Sequence, residues 1–130
     1  MSDVLVDTDI LIEVLRARKP AVVRLWSETA SGEGALFYSP VTLTEIRHGM
    51  RANERESTER IFSSMMSVPI GVEIATRAGD YLRAFHGSHS LELGDALIAA
   101  TASVHQLTLW TQNRKHFPMK DLRFFTKSSH

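Results

Sequence analysis

The sequence predicts an α/β fold, a three-layer α/β/α arrangement in which helices cover both faces of a mostly parallel sheet. Short apolar runs alternate with stretches of helical periodicity along the 130 residues, as they do where helices connect parallel strands. The run Val4–Val6 stops at Asp7, as a buried parallel strand does at its carboxyl end. Residues 95–105 are apolar nearly all round, which indicates a central, buried helix.

The elements of the first half follow from apolar spacing and from turn-forming residues. Apolar residues recur at helical spacing soon after Asp7, so a helix follows the first strand at once. Pro20 suits the first turn of a second helix. In order, we expect a helix over 10–15, a helix from Pro20 to the glycine-containing segment 31–34, a strand over 35–38, and a helix with Leu43, Ile46 and Met50 on its apolar stripe.

The elements of the second half are predicted in the same way. Pro69 limits the strand around it to a short edge strand, because proline cannot donate a hydrogen bond to a central ladder. In order, we expect a helix over 54–66, an edge strand over 68–70, a helix marked by Ile74, Ala78, Leu82 and Phe85 that ends in a loop over 86–90, the buried helix over 95–105, and strands over 107–111 and 122–126.

Composition excludes several classes of protein. An apolar share of 43% with 23% charged residues is typical of a globular chain rather than a disordered one, and the length suits one domain spanning 1–130. The chain has no cysteine, which excludes disulfides, thiolate metal ligands and cysteine nucleophiles. Its net charge is zero with histidine neutral, so contacts with nucleic acid have to be local or shared across an oligomer.

No targeting or membrane segment is expected. Nothing in the sequence approaches the roughly 20 apolar residues that a membrane helix needs, and the lack of cysteine fits a reducing compartment. The sequence therefore predicts a cytoplasmic protein with no membrane contact. A signal peptide is not expected because acidic residues interrupt every apolar run near the N-terminus, at Asp3, Asp7, Asp9 and Glu13.

Four polar residues, far apart in the chain, follow predicted strands or belong to the helices after them: Asp7, Glu45, Asp95 and Asn113. In parallel sheets flanked by helices, ligands bind beyond the carboxyl ends of the strands, where Asp7 falls. Converging buried carboxylates need compensating cations, and hard oxygen ligands suit Mg²⁺ or Mn²⁺ rather than zinc. We therefore predict a metal site with Asp7, Glu45 and Asp95 as ligands, in an enzyme that cleaves phosphodiesters with a metal-activated water.

Each of these four residues also has a purely structural interpretation. Asp7 after a strand is a favoured helix N-cap, and Asp95 could cap the buried helix that follows it. Glu45 lies within a helix, where glutamate is a good former and usually faces solvent. Asn113 is a common turn former. At most single positions the structural interpretation wins, and it is the combination of the four that favours a site.

Several neighbouring residues are candidates for supporting roles. Asp9 either caps the first helix or orients the site without binding metal. Thr111 or Asn113 follows a strand and is placed to orient a water molecule. Basic side chains near these segments are candidates for contacts with phosphate groups. The residues expected to support the site or to contact substrate are Thr8, Asp9, Arg47, Thr111, Arg114 and His116.

Four stretches of the chain together resemble the PIN domain, and specifically the VapC-type toxin ribonucleases. They span nearly the whole chain in the expected order. The stretches are V-L-V-D-T-D-I-L-I-E-V-L, T-L-T-E-I-R-H-G, G-D-A-L-I-A-A-T-A and L-W-T-Q-N-R-K-H-F.

This resemblance implies a PIN-like fold and a Mg²⁺- or Mn²⁺-dependent endoribonuclease that is usually a homodimer and is neutralised by a small cognate antitoxin. The acidic positions of the family fall on Asp7, Glu45 and Asp95. Relatives often carry a further acid in the last motif, at the position of Asn113 or three residues later, where this chain has His116. The last ligand is therefore an amide or a water.

Two alternatives belong to other functional classes. The D-T-D sequence that follows the first strand resembles the start of a haloacid-dehalogenase-like phosphatase, but Ile10-Leu11 replaces the usual small residue and threonine, the late acidic pair is missing and the chain is short for that fold. The second alternative is a non-catalytic PIN-like module that binds RNA or protein. Three converging carboxylates argue against it, because a site that only binds does not need them.

Overall fold

The computed structural model describes residues 3–126 and has a five-stranded parallel sheet at its centre. The elements are β1 (Val4–Val6), α1 (Thr8–Arg16), α2 (Pro20–Ala30), β2 (Leu36–Tyr38), α3 (Pro40–Gly49), α4 (Arg55–Ser63), β3 (Met66–Ser67), α5 (Val72–His89), α6 (Leu93–His105), β4 (Thr108–Trp110) and β5 (Arg123–Phe124). The strand order is β3-β2-β1-β4-β5, and every neighbouring pair is parallel. Within residues 3–126, no helix is both long and apolar enough to cross a membrane.

The two faces of the sheet are covered by different helices. Successive strand residues point to opposite faces, so Leu5 and Leu109 pack with α5 and α6, whereas Val6 and Trp110 pack with α1, α3 and α4. Because the central strands are buried on both faces, their sequence is continuously apolar rather than alternating. The predicted three-layer α/β/α fold is confirmed.

Helix α6 is buried, and the small side chains on its surface allow neighbouring elements to pack closely against it. Ala96, Ala99 and Ala100 have no exposed surface, and the helix packs against α5 and the sheet. The predicted buried helix is therefore confirmed, but it begins at Leu93, with Glu92 as its N-cap residue. Asp95 lies inside the first turn, so its interpretation as the cap is wrong.

Helix α5 continues to His89, so the predicted loop over 86–90 is wrong. Gly87 and Ser88 suggested a loop, but they lie on an exposed helical surface. Phe85 and His89, one turn apart, stack edge to face with ring centroids 5.9 Å apart. Ser90 then ends the helix in the left-handed conformation with φ 53°. The short connection over 90–92 brings the C-terminus of α5 to the start of α6.

The predicted helix over 54–66 is present in shorter form as α4, and the edge strand expected over 68–70 lies earlier in the chain. Residues 52–54 form a 3-10 turn, α4 ends at Ser63, and β3 pairs with β2 through Met66 and Ser67. The N–H of Val68 still donates to the carbonyl of Tyr38 at 2.9 Å, but Pro69 has no N–H with which to extend the ladder. The strands predicted over 107–111 and 122–126 are present in shorter form as β4 and β5.

Candidate active site

The site lies at the carboxyl end of the sheet, where β1 and β4 are neighbours. Val6 pairs with Trp110, so Asp7 and Thr111 leave the sheet side by side. The buried Asp7 caps α1 by accepting a hydrogen bond from the N–H of Thr8 at Oδ1, at 2.8 Å. Its Oδ2 accepts a hydrogen bond from the hydroxyl of Thr111, also at 2.8 Å. Asp7 is therefore the cap of α1, and the same carboxylate also contacts the end of β4.

The pKa of Asp7 is raised from 3.8 to about 7, and burial is the largest cause. The negative charge of Asp9, and to a smaller extent that of Asp95, contribute to this rise. The hydrogen bonds from Thr111 and Thr8 favour the carboxylate but do not overcome burial and repulsion. A charged Asp7 is therefore costly in this protein by itself, and a cation at the site would remove that cost.

The raised pKa of Asp7 predicts the pH dependence of stability. Between pH 4 and 7 the folded protein without metal holds a proton on Asp7 that the unfolded chain has released. Raising the pH across this window therefore lowers the free energy of unfolding. Denaturant titrations in chelator measure the free energy of unfolding at pH 5 and pH 8. The decrease between the two pH values should be smaller in Asp7→Asn than in the wild type, by about 1–3 kcal/mol. An equal decrease in the free energy of unfolding in the two proteins would contradict the raised pKa of Asp7.

Glu45 reaches the site from the middle of α3. Its Oε1 accepts a hydrogen bond from the hydroxyl of Thr8 at 2.6 Å, which joins α3 to the first residue of α1. The same Thr8 oxygen lies 3.1 Å from the hydroxyl oxygen of the fully buried Thr42, one turn before Glu45. Although Glu45 is exposed as a residue, its carboxylate is held by the protein.

Asp95 is half-buried in the first turn of α6. Burial raises the pKa of Asp95, with His116 lowering it and the charges of Glu45 and Glu92 raising it. Asp95 thus interacts electrostatically with Glu45, and it also raises the pKa of Asp7. The three predicted acidic ligands, contributed by α1, α3 and α6, belong to one electrostatic group.

Asp9 ties the segment after β4 to α1. Its Oδ2 accepts hydrogen bonds from the N–H of Gln112 at 3.0 Å and the side-chain amide of Asn113 at 3.1 Å. The N–H of Asn113 donates to the Thr111 hydroxyl oxygen at 3.0 Å, which leaves the Thr111 proton directed at Asp7. Asp9 is therefore not the cap of α1, and its contacts are with the segment after β4. Its Oδ1 is buried and has no hydrogen-bond partner in the described part of the chain.

The donor set fits Mg²⁺ or Mn²⁺ by charge and chemistry. Asp7, Glu45 and Asp95 supply only carboxylate oxygens, which such ions prefer. Two of these groups have raised pKa values because burial and mutual repulsion oppose their charges. Across residues 3–126, no three acidic or histidine side chains already surround one point closely enough to hold an ion. The carboxylates would therefore have to draw together around the cation.

The basic residues near the site differ in what they contact. Arg47 is exposed on α3. Arg114 instead holds β5, because its guanidinium donates to the carbonyl of Phe125 at 3.0 Å and lies 5.2 Å from the ring centroid of Phe124. His116 is exposed and acts electrostatically on Asp95.

Two further residues at the site were not among the predicted ones. Lys19, in the connection between α1 and α2, donates to the side-chain oxygen of Gln112 at 2.7 Å across 93 positions of sequence. No local pattern could have indicated this contact. Thr42 was more accessible to sequence reasoning, because it lies three residues before Glu45 and therefore on the same side of a helix.

Comparisons with known proteins show the family to which this chain belongs. The family model for the PIN domain matches residues 4–122. Ribonuclease VapC10 of Mycobacterium tuberculosis is 44% identical over 117 residues, covering 89% of this chain and 86% of the relative. Ribonuclease VapC19 of the same organism is 34% identical, covering 88% and 92%. A toxin–antitoxin complex from Klebsiella pneumoniae contains a chain with a TM-score of 0.72 and 27% identity, covering 92% and 95%.

Proposed function

This chain belongs to the PIN domain family, and from that premise we propose that it is the toxin of a toxin–antitoxin pair, an endoribonuclease that hydrolyses RNA with Mg²⁺ or Mn²⁺. The observation that carries the proposal is the electrostatic group of Asp7, Glu45 and Asp95 at the carboxyl end of the sheet. The names of the relatives support the reaction, since VapC10 and VapC19 are both ribonucleases. Such an enzyme meets its RNA in the cytoplasm.

A protein partner is part of the same proposal. The Klebsiella pneumoniae structure of similar fold is a toxin–antitoxin complex, and a ribonuclease that acts on cellular RNA needs an inhibitor. We infer a cognate antitoxin that covers the carboxylate group. Arginine or lysine is the side chain suited to this, because it can pair with carboxylates through charge-assisted hydrogen bonds.

Different residues of the site would bind the metal and orient its ligands. Asp7, Glu45 and Asp95 would hold the metal, which lowers the pKa of a bound water and stabilises charge on the phosphate. The hydroxyl of Thr111 orients Asp7, and the hydroxyl of Thr8 orients Glu45.

Asp9 keeps the segment after β4 against α1 through its hydrogen bonds from Gln112 and Asn113. Asn113 thus stands at the site through its bonds to Asp9 and Thr111. The hydrogen bonds that Asp9 accepts also argue against a phosphatase. In such an enzyme, the second aspartate of D-T-D has to be free to donate a proton.

The substrate is an RNA strand whose backbone crosses the exposed rim of the site. The chain is neutral overall, so attraction to phosphate comes from local cations such as Lys19, which is held beside Gln112. Arg47 in α3 and Lys115 in the segment after β4 are also exposed. A single-stranded or loop region suits this site, because proteins read RNA sequence mainly on unstacked bases.

The origin of the attacking oxygen tests the mechanism. Hydrolysis by an activated water does not need the ribose 2′-hydroxyl, whereas self-cleavage chemistry through that hydroxyl leaves a 2′,3′-cyclic phosphate. We expect an oligoribonucleotide with a single 2′-deoxy substitution at the mapped cut position to be cleaved, and the unmodified RNA to yield ends without a cyclic phosphate. Protection by the 2′-deoxy substitution together with cyclic ends would refute the proposed reaction.

We also propose that the active form is a homodimer. A neutral chain of 130 residues offers little surface to grip RNA alone, and two copies can share a groove. The segments over 10–16 and 54–66 are our candidates for the interface. Light scattering at micromolar concentration should give twice the mass of one chain, and a fully active monomer under the same conditions would remove this proposal.

A further inference from the structure

The first turn of α6 passes unusually close to the carboxylate of Glu45. A methyl group placed on Gly94 would lie 3.3 Å from Oε2 of Glu45 and 3.4 Å from Cγ1 of Val41. Gly79 and Gly87, both within α5, would meet nothing within 4 Å if they carried a side chain. Among Gly79, Gly87 and Gly94, the crowding is therefore confined to the position beside Glu45.

Backbone conformation does not explain a glycine at this position. None of the glycines in residues 3–126 has a positive φ, and Gly94 lies within a regular helix. Glycine inside a helix is less favourable than alanine by roughly 0.5–1 kcal/mol. What alanine would change is the space on the side of the helix that faces α3.

The two oxygens of Glu45 have different neighbours. Oε1 accepts the hydrogen bond from the Thr8 hydroxyl at 2.6 Å, and Oε2 lies over the open backbone of Gly94. The next residue in α6 is Asp95, another proposed metal ligand. The distance between α3 and α6 at Gly94 therefore sets how closely these two carboxylates can approach each other.

We propose that Gly94 is a positioning residue whose missing side chain allows Glu45 to reach the metal beside Asp95. This inference rests on the proposed metal-dependent function. A side chain at residue 94 would leave α6 intact, because the atom it presses on is the far end of a flexible side chain. It would instead move the Glu45 carboxylate away from its place.

The test measures Mn²⁺ binding by calorimetry on the full chain without RNA or antitoxin. Gly94→Ala should raise the Mn²⁺ dissociation constant about tenfold, the lower end of the effect of disturbing the groups that orient metal ligands. Its melting temperature in chelator should hold or rise, because alanine favours the helix. Gly79→Ala is the matched control, since it makes the same exchange in α5 with no neighbour to displace, and it should leave the dissociation constant unchanged.

A double-variant cycle identifies the cause. In a Glu45→Ala background, Gly94→Ala has no carboxylate to displace, so its effect on the Mn²⁺ dissociation constant should fall below about twofold. An undiminished tenfold effect would show that Gly94→Ala acts through Asp95 or the helix and would overturn the proposal. If Gly94→Ala alone lowers stability, Glu45→Ala should restore it, and failure to do so would count against the proposal as well.

Two failures can be told apart in this design. A wild-type protein that binds no Mn²⁺ would contradict the proposed metal-dependent function. A wild-type protein that binds Mn²⁺ as tightly as Gly94→Ala does would leave that function intact and overturn only the role of Gly94.

Discussion

Replacing Asp7 by Asn is expected to reduce RNA cleavage by at least about 100-fold while the fold is retained. Asn keeps the shape of the side chain but removes the charge that would bind the metal, and disturbing even the groups around a metal ligand costs about 10–100-fold. Stability without metal should hold or rise, because burial and the charge of Asp9 already disfavour the Asp7 carboxylate. Cleavage of a fluorescent RNA and chemical denaturation of the same samples measure both quantities.

Asp95→Asn should lose cleavage to a similar extent with a smaller effect on stability, because His116 partly stabilises the Asp95 charge. Asp80→Asn is a suitable control, since Asp80 is exposed on α5, and it should cleave as the wild type does. Near-wild-type cleavage by either Asp7→Asn or Asp95→Asn would mean that the site has been assigned to the wrong residues.

Expression of the chain alone in a bacterial host is expected to arrest growth, which is the second large effect. Unrestrained cleavage of cellular RNA would stop protein synthesis, whereas the Asp7→Asn form should be harmless at the same level of expression. Co-expression of the cognate antitoxin should restore growth, because a cationic side chain of the inhibitor would occupy the carboxylate group in place of the metal.

The measurement is colony count and growth rate after induction, with protein levels checked by immunoblot. Normal growth of a host that accumulates the intact, folded chain without antitoxin would contradict its role as a toxin. That result would leave the nuclease itself to be tested with purified protein.

The parts of the fold that were predicted correctly are those with a local signal. The apolar run Val4–Val6 ending at Asp7 indicated β1 with a helix directly after it, and the apolar segment 95–105 indicated α6. The loop expected over 86–90 is wrong because the local preferences of glycine and serine do not end α5. The stacking of Phe85 on His89 and the packing of α5 against α6 outweigh those local preferences.

The contacts that build the site depend on distances that sequence does not contain. The sequence allows two roles for Asp9, and its contacts with residues 112 and 113 depend on the position of that segment beside α1. The approach of Gly94 to Glu45 depends on how α3 and α6 pack. Lys19 reaches Gln112 only because β4 lies next to β1 and thereby brings two distant loops together.

The most direct test of the central claim is cleavage of total RNA by the purified, antitoxin-free protein with and without divalent metal. We expect discrete cleavage products with Mg²⁺ or Mn²⁺, none with excess chelator, and recovery of the same products when metal is restored. The Asp7→Asn protein prepared in parallel should give none under any of these conditions, which excludes a contaminating nuclease. Equal cleavage in chelator and in metal, or equal cleavage by Asp7→Asn, would contradict a metal-dependent ribonuclease built on these carboxylates.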